Sequence, residues 1–363
     1  MIVGVFTGLT EHGGIQRYGR HAAAVIAMHA RERGEDYRFL GLNDPTGAHE
    51  IESAGVRFSI TGFARNKPAM VRAVLAGARA VRLAYINHPN LAPLGLALRT
   101  LNPAARYIVS TYGTEVWEPL PSVRSFGLQR ADRITAIAEF NADRVAALQR
   151  IAPEKIAIVP CALDPEFSEA GAMPSRIQPG ESPALLTVAR LMSAERGEYK
   201  GVDTVIKAMP EVLAAFPGVR YVVVGDGDDR PNLEELARRC GVHQHVTFAG
   251  AVDGAALRAF YEACEIFVMP SRTEGFGIVF LEAMALGKPV VGGNHGGTPE
   301  VWADGTAGFL VDHGDLRALA GRLKLLIGDS DLRARMGAAG RAIVANNFSF
   351  ARFRQNFGEL LLQ

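Results

Sequence analysis

The chain is predicted to be α/β, built as two doubly wound parallel-sheet domains. Three observations predict this. Short apolar, β-branched runs recur along all 363 residues, and amphipathic stretches of helical period separate them. A Pro-, Gly- and Ser-rich stretch from Pro160 to Pro183 then divides the chain in two. Continuous apolar strands alternating with helices imply parallel sheets covered on both faces. Domains are placed at 1–165 and 175–346, joined by that linker. Two such domains place a ligand cleft between them, at the carboxyl ends of the strands.

In the first half the predicted strands are Ile2–Phe6, Tyr37–Gly41, Val56–Ile60, Leu83–Ile86, Tyr107–Ser110, Arg133–Ile137 and Lys155–Val159. In the second they are Ala184–Ala189, Tyr221–Gly225, His245–Ala249, Glu265–Met269, Pro289–Gly292 and Gly308–Val311. The last segment, Asn347 to Gln363, is read as a short amphipathic helix that packs back on the first domain.

Composition is that of an ordinary globular protein, with 48% hydrophobic and 21% charged residues. No apolar run reaches the roughly 18 residues of a spanning helix. The opening Met1-Ile-Val-Gly-Val-Phe6 is too short and lacks the basic flank of a secretory signal, so it reads as a buried strand. Three widely spaced cysteines, Cys161, Cys240 and Cys264, argue against a disulfide framework or a zinc site and fit a reducing cytoplasm.

The net charge of +1 conceals a split. Residues 1–165 hold 19 Lys/Arg against 14 Asp/Glu, and the remainder 20 against 24, giving +5 and −4. No acidic residue lies between Glu52 and Glu115, an interval that carries Arg57, Arg65, Lys67, Arg72, Arg79, Arg82, Arg99 and Arg106. Such a stretch suggests a surface facing anions: membrane headgroups, or a phospholipid-linked acceptor. Nucleic acid is disfavoured, because aromatic interleaving and a recognisable binding motif are missing.

The strongest chemical signal is Pro270-Ser-Arg-Thr-Glu-Gly-Phe-Gly-Ile-Val-Phe-Leu-Glu-Ala-Met284. Gly275 and Gly277 free the backbone where a strand must turn into a helix starting at Ile278. A glycine turn opening a helix presents unpaired N–H groups and about half a positive charge, which suits a diphosphate. Glu274 precedes the turn and Glu282 follows it. A carboxylate accepts hydrogen bonds from two neighbouring hydroxyls, as on a sugar or a ribose. Polyol, diphosphate and polyol together outline a nucleotide sugar.

Other groups fit the same ligand. Arg190 closes a predicted strand and Lys200 precedes the next helix, so both cations sit at one strand's carboxyl end, suited to neutralise a departing diphosphate. Gly13 and Gly14 form a second glycine loop before a helix near Ile15, without the full dinucleotide spacing. Asp226-Gly-Asp228 is read as a tight turn with Asp residues capping the helix near Arg230, rather than as a metal clamp. His88, His12 and His295 follow predicted strands and are weaker candidates.

Together these residues resemble family 4 of the retaining glycosyltransferases, the glycosyl transferase group 1 family, over nearly the whole chain. The resemblance implies the GT-B fold, two facing Rossmann-like domains with an interdomain cleft. It implies that Glu274 contacts the donor hexose and Glu282 the ribose. It places Arg190 and Lys200 on the donor diphosphate, with the amides of Gly275, Phe276, Gly277, Ile278 and Val279 and the Gly13–Gly14 loop. The nucleobase is expected against backbone near Val246–Gly250. Where the family commonly carries a His before Gly-Thr-Asp/Glu, this chain has Tyr112, followed by Gly113-Thr114-Glu115. Tyr112 and His88 are therefore assigned to the acceptor or sugar side.

The expected activity is metal-independent transfer of a hexose, from GDP-mannose or a UDP-hexose, to an acceptor hydroxyl with retention. No metal or cofactor is expected. The acceptor is expected to be a lipid-diphosphate-linked saccharide, in polysaccharide or glycolipid assembly, with peripheral contact to an anionic membrane. A hinged solute-binding protein for a sugar or nucleotide is the alternative. A nicotinamide dehydrogenase is disfavoured by the missing fingerprint.

Overall fold

The computed structural model describes residues 1–11, 13–165, 167, 185–193, 200–252 and 254–362. Most of the expected linker (166 and 168–183), His12, Tyr199 and the charged stretch 195–198 lie outside these residues. The chain divides into two compact units, Met1–Pro165 with Phe348–Gln363, and Glu166–Asn347.

Unit 1 is an eight-stranded sheet in the order β3-β4-β2-β1-β5-β6-β7-β8. The strands are β1 (Ile2–Phe6), β2 (Tyr37–Gly41), β3 (Gly47–Ser53), β4 (Val56–Gly62), β5 (Leu83–Ile86), β6 (Arg106–Ser110), β7 (Arg133–Ala136) and β8 (Ile156–Ile158). All neighbours are parallel except β3 and β4, which pair as an antiparallel hairpin from Gly47↔Gly62 to Ser53↔Val56. The hairpin strand β3 is absent from the sequence reading. It is an edge strand whose Gly-Ala-His-Glu-Ile-Glu-Ser lacks an apolar run, and the turn beyond it places Ala54 and Gly55 at φ 50° and 73°.

Helices α2 (Lys67–Leu75), α3 (Ala92–Leu101) and α4 (Ser122–Gln129) share one core with the sheet: Met70, Val74, Leu98 and Leu128 pack with Val3, Val5, Ile86, Val109 and Ile134. α5 (Glu139–Gln149) follows them. α1 (Gly14–Glu32) carries Ala-Ala-Ala-Val-Ile-Ala, buried from Ala22 to Ala27. A helix apolar most of the way round needs cover on two sides. The sheet supplies one side and the C-terminal helix α12 (Phe350–Leu362) the other: Tyr18 meets Phe353 edge-on at 5.1 Å, and His21 lies against Phe350 and Phe353. The last segment thus belongs to unit 1.

Unit 2 is a six-stranded, all-parallel sheet of order β11-β10-β9-β12-β13-β14. Its strands are β9 (Leu185–Val188), β10 (Tyr221–Val224), β11 (Val246–Gly250), β12 (Ile266–Met269), β13 (Val290–Gly293) and β14 (Gly308–Val311). The helices are α6 (Val202–Ala215), α7 (Arg230–Arg239), α8 (Gly254–Ala263), α9 (Ile278–Ala285), α10 (Leu316–Gly328) and α11 (Ser330–Asn347). This is the doubly wound order in which direction of winding reverses between β9 and β12, so the loops after those strands diverge and leave a crevice. In unit 1 the reversal lies between β1 and β5.

The acid-free basic stretch is less isolated than its sequence suggests. Arg57 pairs with Glu52, Arg82 with Glu35 and Arg99 with Asp132, at 2.7, 2.8 and 2.5 Å. Folding brings acids from outside the interval to three of its eight cations. None of the three cysteines is in a disulfide, and Cys161 and Cys264 are buried. Among the described residues no helix is long and apolar enough to cross a membrane.

Candidate functional site

The loops at the reversal point of unit 2 carry the strongest candidates. Arg190 lies two residues beyond β9 and is exposed. Lys200 stands just before α6, whose N-cap is Gly201 in the left-handed region at φ 77°. A Cβ on Gly201 would lie 2.4 Å from the carbonyl oxygen of Pro270, so only glycine lets this turn press against the end of β12. That contact brings Lys200 to the loop after β12. Its Nζ donates to Glu274 Oε2 at 3.0 Å, with both side chains partly buried. Arg190, Lys200, Gly201, Asp203 and Asp229 line one groove with Leu191, Met192, Val202 and Leu233.

The loop after β12 is clamped from the other side. The amide of Gly297 donates to the Glu274 carbonyl at 2.9 Å, and a Cβ on Gly296 would come within 2.1 Å of the same oxygen. The chain then turns through Gly275, buried Phe276 and Gly277 (φ 92°) into α9. A Cβ on Gly277 would lie 3.4 Å from Glu274 Cγ, which puts the Lys200–Glu274 pair beside the N-terminus of α9. That terminus has no side-chain cap and no acidic residue in its first turn, which begins at Ile278 and Val279. An uncapped amide terminus beside a lysine attracts an anion.

Glu282 lies one turn further and is 2% exposed. Its Oε2 accepts from the Tyr261 hydroxyl at 2.6 Å. Tyr261, on α8, is fully buried between Phe167 and Phe267. Nothing in the sequence links these two residues, because the bond joins separate helices. After β10 the acidic turn is occupied internally: Asp226 Oδ1 accepts from the Gly227 amide, and Asp228 Oδ1 from Ser193. Asp229 is the N-cap of α7 but makes no side-chain capping bond, so the predicted cap is positional only. Among the described residues no cluster of three His, Cys, Asp or Glu is placed to hold a metal ion. His295 Nε2 accepts from the His313 amide at 3.0 Å.

In unit 1, Gly13 caps α1, whose first turn also lacks an acid. A carboxylate already holds two amides ahead of it. Buried Asp44 accepts from the amides of Leu9 and Thr10 at 2.9 and 2.8 Å, and from the Thr10 hydroxyl at 2.7 Å. Arg20 ties the carbonyls of Leu9 and Glu11.

His88 and Tyr112, from the carboxyl ends of β5 and β6, come together with ring centroids 6.4 Å apart. The Asn90 amide donates to His88 Nδ1 at 3.1 Å, so a neutral ring carries its proton on Nε2. Burial, and then the charge of Arg124, lower the His88 pKa to about 4. Tyr112 is 6% exposed, with its hydroxyl buried and its ring edge-on to Tyr18 at 5.2 Å. Burial first, then neighbouring Tyr85 and Tyr18, push its phenol well above the ordinary value. Beneath it, Thr135 donates to Ser110 at 2.7 Å, and Ser110 shares a 2.8 Å bond with Tyr85. Glu115 Oε1 takes the Tyr112 amide at 2.5 Å, and burial raises its pKa.

Known proteins resemble the chain in sequence and in fold. The family model of the glycosyl transferases group 1 matches residues 178–343. A GDP-mannose-dependent alpha-(1-6)-phosphatidylinositol monomannoside mannosyltransferase of Mycobacterium tuberculosis is 35% identical over 269 residues, 69% of this chain and 68% of that protein. A GDP-mannose-dependent monoacylated alpha-(1-6)-phosphatidylinositol monomannoside mannosyltransferase of Corynebacterium glutamicum is 35% identical over 284 residues, 71% of each chain. Among solved structures, Anabaena Alr3699/HepE in complex with UDP superposes with a TM-score of 0.79 at 19% identity over 99% of both chains. Sucrose-phosphate synthase from Thermosynechococcus elongatus gives 0.79 at 22% identity, over 100% of this chain and 98% of that one. The fold is GT-B, with two Rossmann-like parallel-sheet units, and the chain belongs to the group 1 glycosyltransferases.

Proposed function

We propose that this glycosyltransferase moves a hexose from a nucleoside diphosphate sugar to an acceptor hydroxyl with retention at the anomeric carbon, without a metal. The observation that carries the reading is the Lys200–Glu274 pair, 3.0 Å apart beside the uncapped N-terminus of α9. Unit 2 is proposed to hold the donor. The amides of Gly275 to Val279, with Lys200 and Arg190, take the diphosphate. Glu274 takes hexose hydroxyls and Glu282 the ribose. The bond from the anomeric carbon to the β-phosphate oxygen breaks as the acceptor oxygen bonds that carbon on the same face. The acceptor proton passes to the departing phosphate. Fixed cations and amides stabilise the charge growing there, so no side-chain base is required.

Unit 1 is proposed to hold the acceptor. There His88 offers an Nε2–H donor, and Tyr112 supports it from a buried position. GDP-mannose as donor and a lipid-linked saccharide as acceptor are supported by the names of the mannosyltransferase relatives. Peripheral contact with an anionic membrane is proposed through the outer face of α2, α3 and α4. These helices contain no acidic residue, carry Lys67, Arg72 and Arg124, and expose Val71, Leu101, Val123 and Phe126.

Release of GDP or UDP from a panel of nucleotide sugars, with and without lipid acceptor, tests the reading. Turnover of one donor is expected. Tight binding of a sugar or nucleotide with no turnover of any donor would favour the solute-binding alternative. Sedimentation with phosphatidylglycerol vesicles tests the membrane face: binding should weaken in Phe126→Glu, and equal binding by both proteins would refute that face.

A further inference from the structure

We propose that Glu274 is an internal counter-ion that disfavours the bare nucleoside diphosphate relative to the intact nucleotide sugar, and so promotes product release. This rests on the donor site proposed above and adds a second role to one of its residues.

Lys200 Nζ is engaged within the protein. It donates to Glu274 Oε2 at 3.0 Å, and the side chains are 20% and 15% exposed. Backbone contacts hold both ends of the pair. Gly201 packs on Pro270, and Gly296 and Gly297 pack on the Glu274 carbonyl. These contacts fix the two backbones at the distance from which the side chains pair. A diphosphate arriving at the α9 terminus must therefore share Lys200 with Glu274, or take it away.

The two ligands differ in what they return to Glu274. An intact nucleotide sugar brings hydroxyls, which donate to the carboxylate and replace the bond lost from lysine. The nucleoside diphosphate left after transfer brings only more negative charge. Glu274 is then partly buried, short of a partner and close to a terminal phosphate, an unfavourable combination. The pair thus makes the empty site and the donor complex good states and the product complex a poor one.

The test is calorimetric titration of GDP and UDP into wild type and Glu274→Gln. Glutamine keeps the length and the backbone contacts, which involve only the main chain, and removes the charge. Glu274→Gln is expected to bind the diphosphate accepted by wild type about tenfold more tightly, roughly 1.4 kcal/mol. The gain should shrink as salt rises from 0.05 to 0.5 M, concentrations chosen to span strong and weak screening at about 14 and 4 Å. Product inhibition of any residual transfer should strengthen in parallel. Equal or weaker affinity in Glu274→Gln overturns the counter-ion role while leaving the donor site standing. If the glutamine variant does not fold, Glu274→Ala serves, with the same expected direction and the same contrary result. Failure of both diphosphates to bind wild type overturns the transferase reading itself, and this inference with it.

Discussion

Each unit opens a helix with glycine after a strand at its reversal point, and the two openings are not equivalent. In unit 1 the buried Asp44 holds the Leu9 and Thr10 amides of the loop ahead of α1, although the terminus of α1 itself has no side-chain cap. In unit 2 no carboxylate caps α9, and the nearest one, Glu274, is held by Lys200. A glycine turn before a helix is therefore not a binding site by itself. What matters is whether the fold has already supplied the anion. Unit 1 supplies a carboxylate to the loop ahead of its helix, whereas unit 2 places a lysine–glutamate pair beside its helix terminus.

That contrast orders the expected effects of mutation. Lys200→Ala should be most damaging, lowering transfer by about 10²–10³-fold, the usual cost of one donor to a developing oxyanion. Its melting temperature should stay near that of wild type, since the pair it breaks is only partly buried. Steady-state kinetics and thermal unfolding check both statements.

Tyr261→Phe comes next. It removes the 2.6 Å bond that holds Glu282. Donor KM should rise about tenfold with a smaller change in kcat, because a lost hydrogen bond to a charged group costs about 1.5–3 kcal/mol. An unchanged KM in kinetics at saturating acceptor would remove Glu282 from the ribose.

Gly277→Ala forces a Cβ into a φ of 92° and to within 2.5 Å of the Phe280 ring. The strain should destabilise unit 2 by about 1–3 kcal/mol in urea unfolding. Gly14→Ala, at the helical first position of α1, should do least, and donor KM should stay within about twofold by comparison with the exposed-site range. A large loss of donor affinity in Gly14→Ala would erase the distinction between the openings.

His88 supplies a pH test of unit 1. Its folded pKa of about 4 lies below the ordinary 6.5. The unfolded chain therefore binds its proton first as pH falls. Stability from the neutral ring is complete above about pH 6.5 and is lost as pH falls through 4. In His88→Asn, whose amide oxygen can still accept from the Asn90 N–H, that part of the pH dependence should vanish from urea midpoints. A slope between pH 6.5 and 4 equal to wild type would show that another group carries it.

Much of the fold was legible. β1, β2, β5 and β14 fall on the predicted limits, because each is a short apolar run bounded by turn residues. The edge strand β3 was not, since alternation with charged Glu50 and Glu52 at a sheet margin leaves little apolar signal. At the candidate site, residue types and spacing marked Glu274, Glu282, Arg190 and Lys200. Their partners were hidden. Lys200 and Glu274 are 74 positions apart, and the close approach of Gly201 to Pro270 brings them together. Tyr261 and Asp44 carry no local pattern, because their roles exist only after helices and loops have packed. Tyr112 illustrates the converse: its position in the sequence suggested contact with a ligand, while the fold turns its hydroxyl inward.

The central claim is that a nucleoside diphosphate docks on Lys200 and Arg190 at the uncapped terminus of α9. The most direct measurement is calorimetric titration of GDP and UDP into wild type and into Lys200→Ala. Wild type is expected to bind at least one diphosphate, and the variant to bind it about tenfold or more weakly, the cost of one charge-assisted contact. Equal affinity in the two proteins, or no binding to wild type, would contradict it.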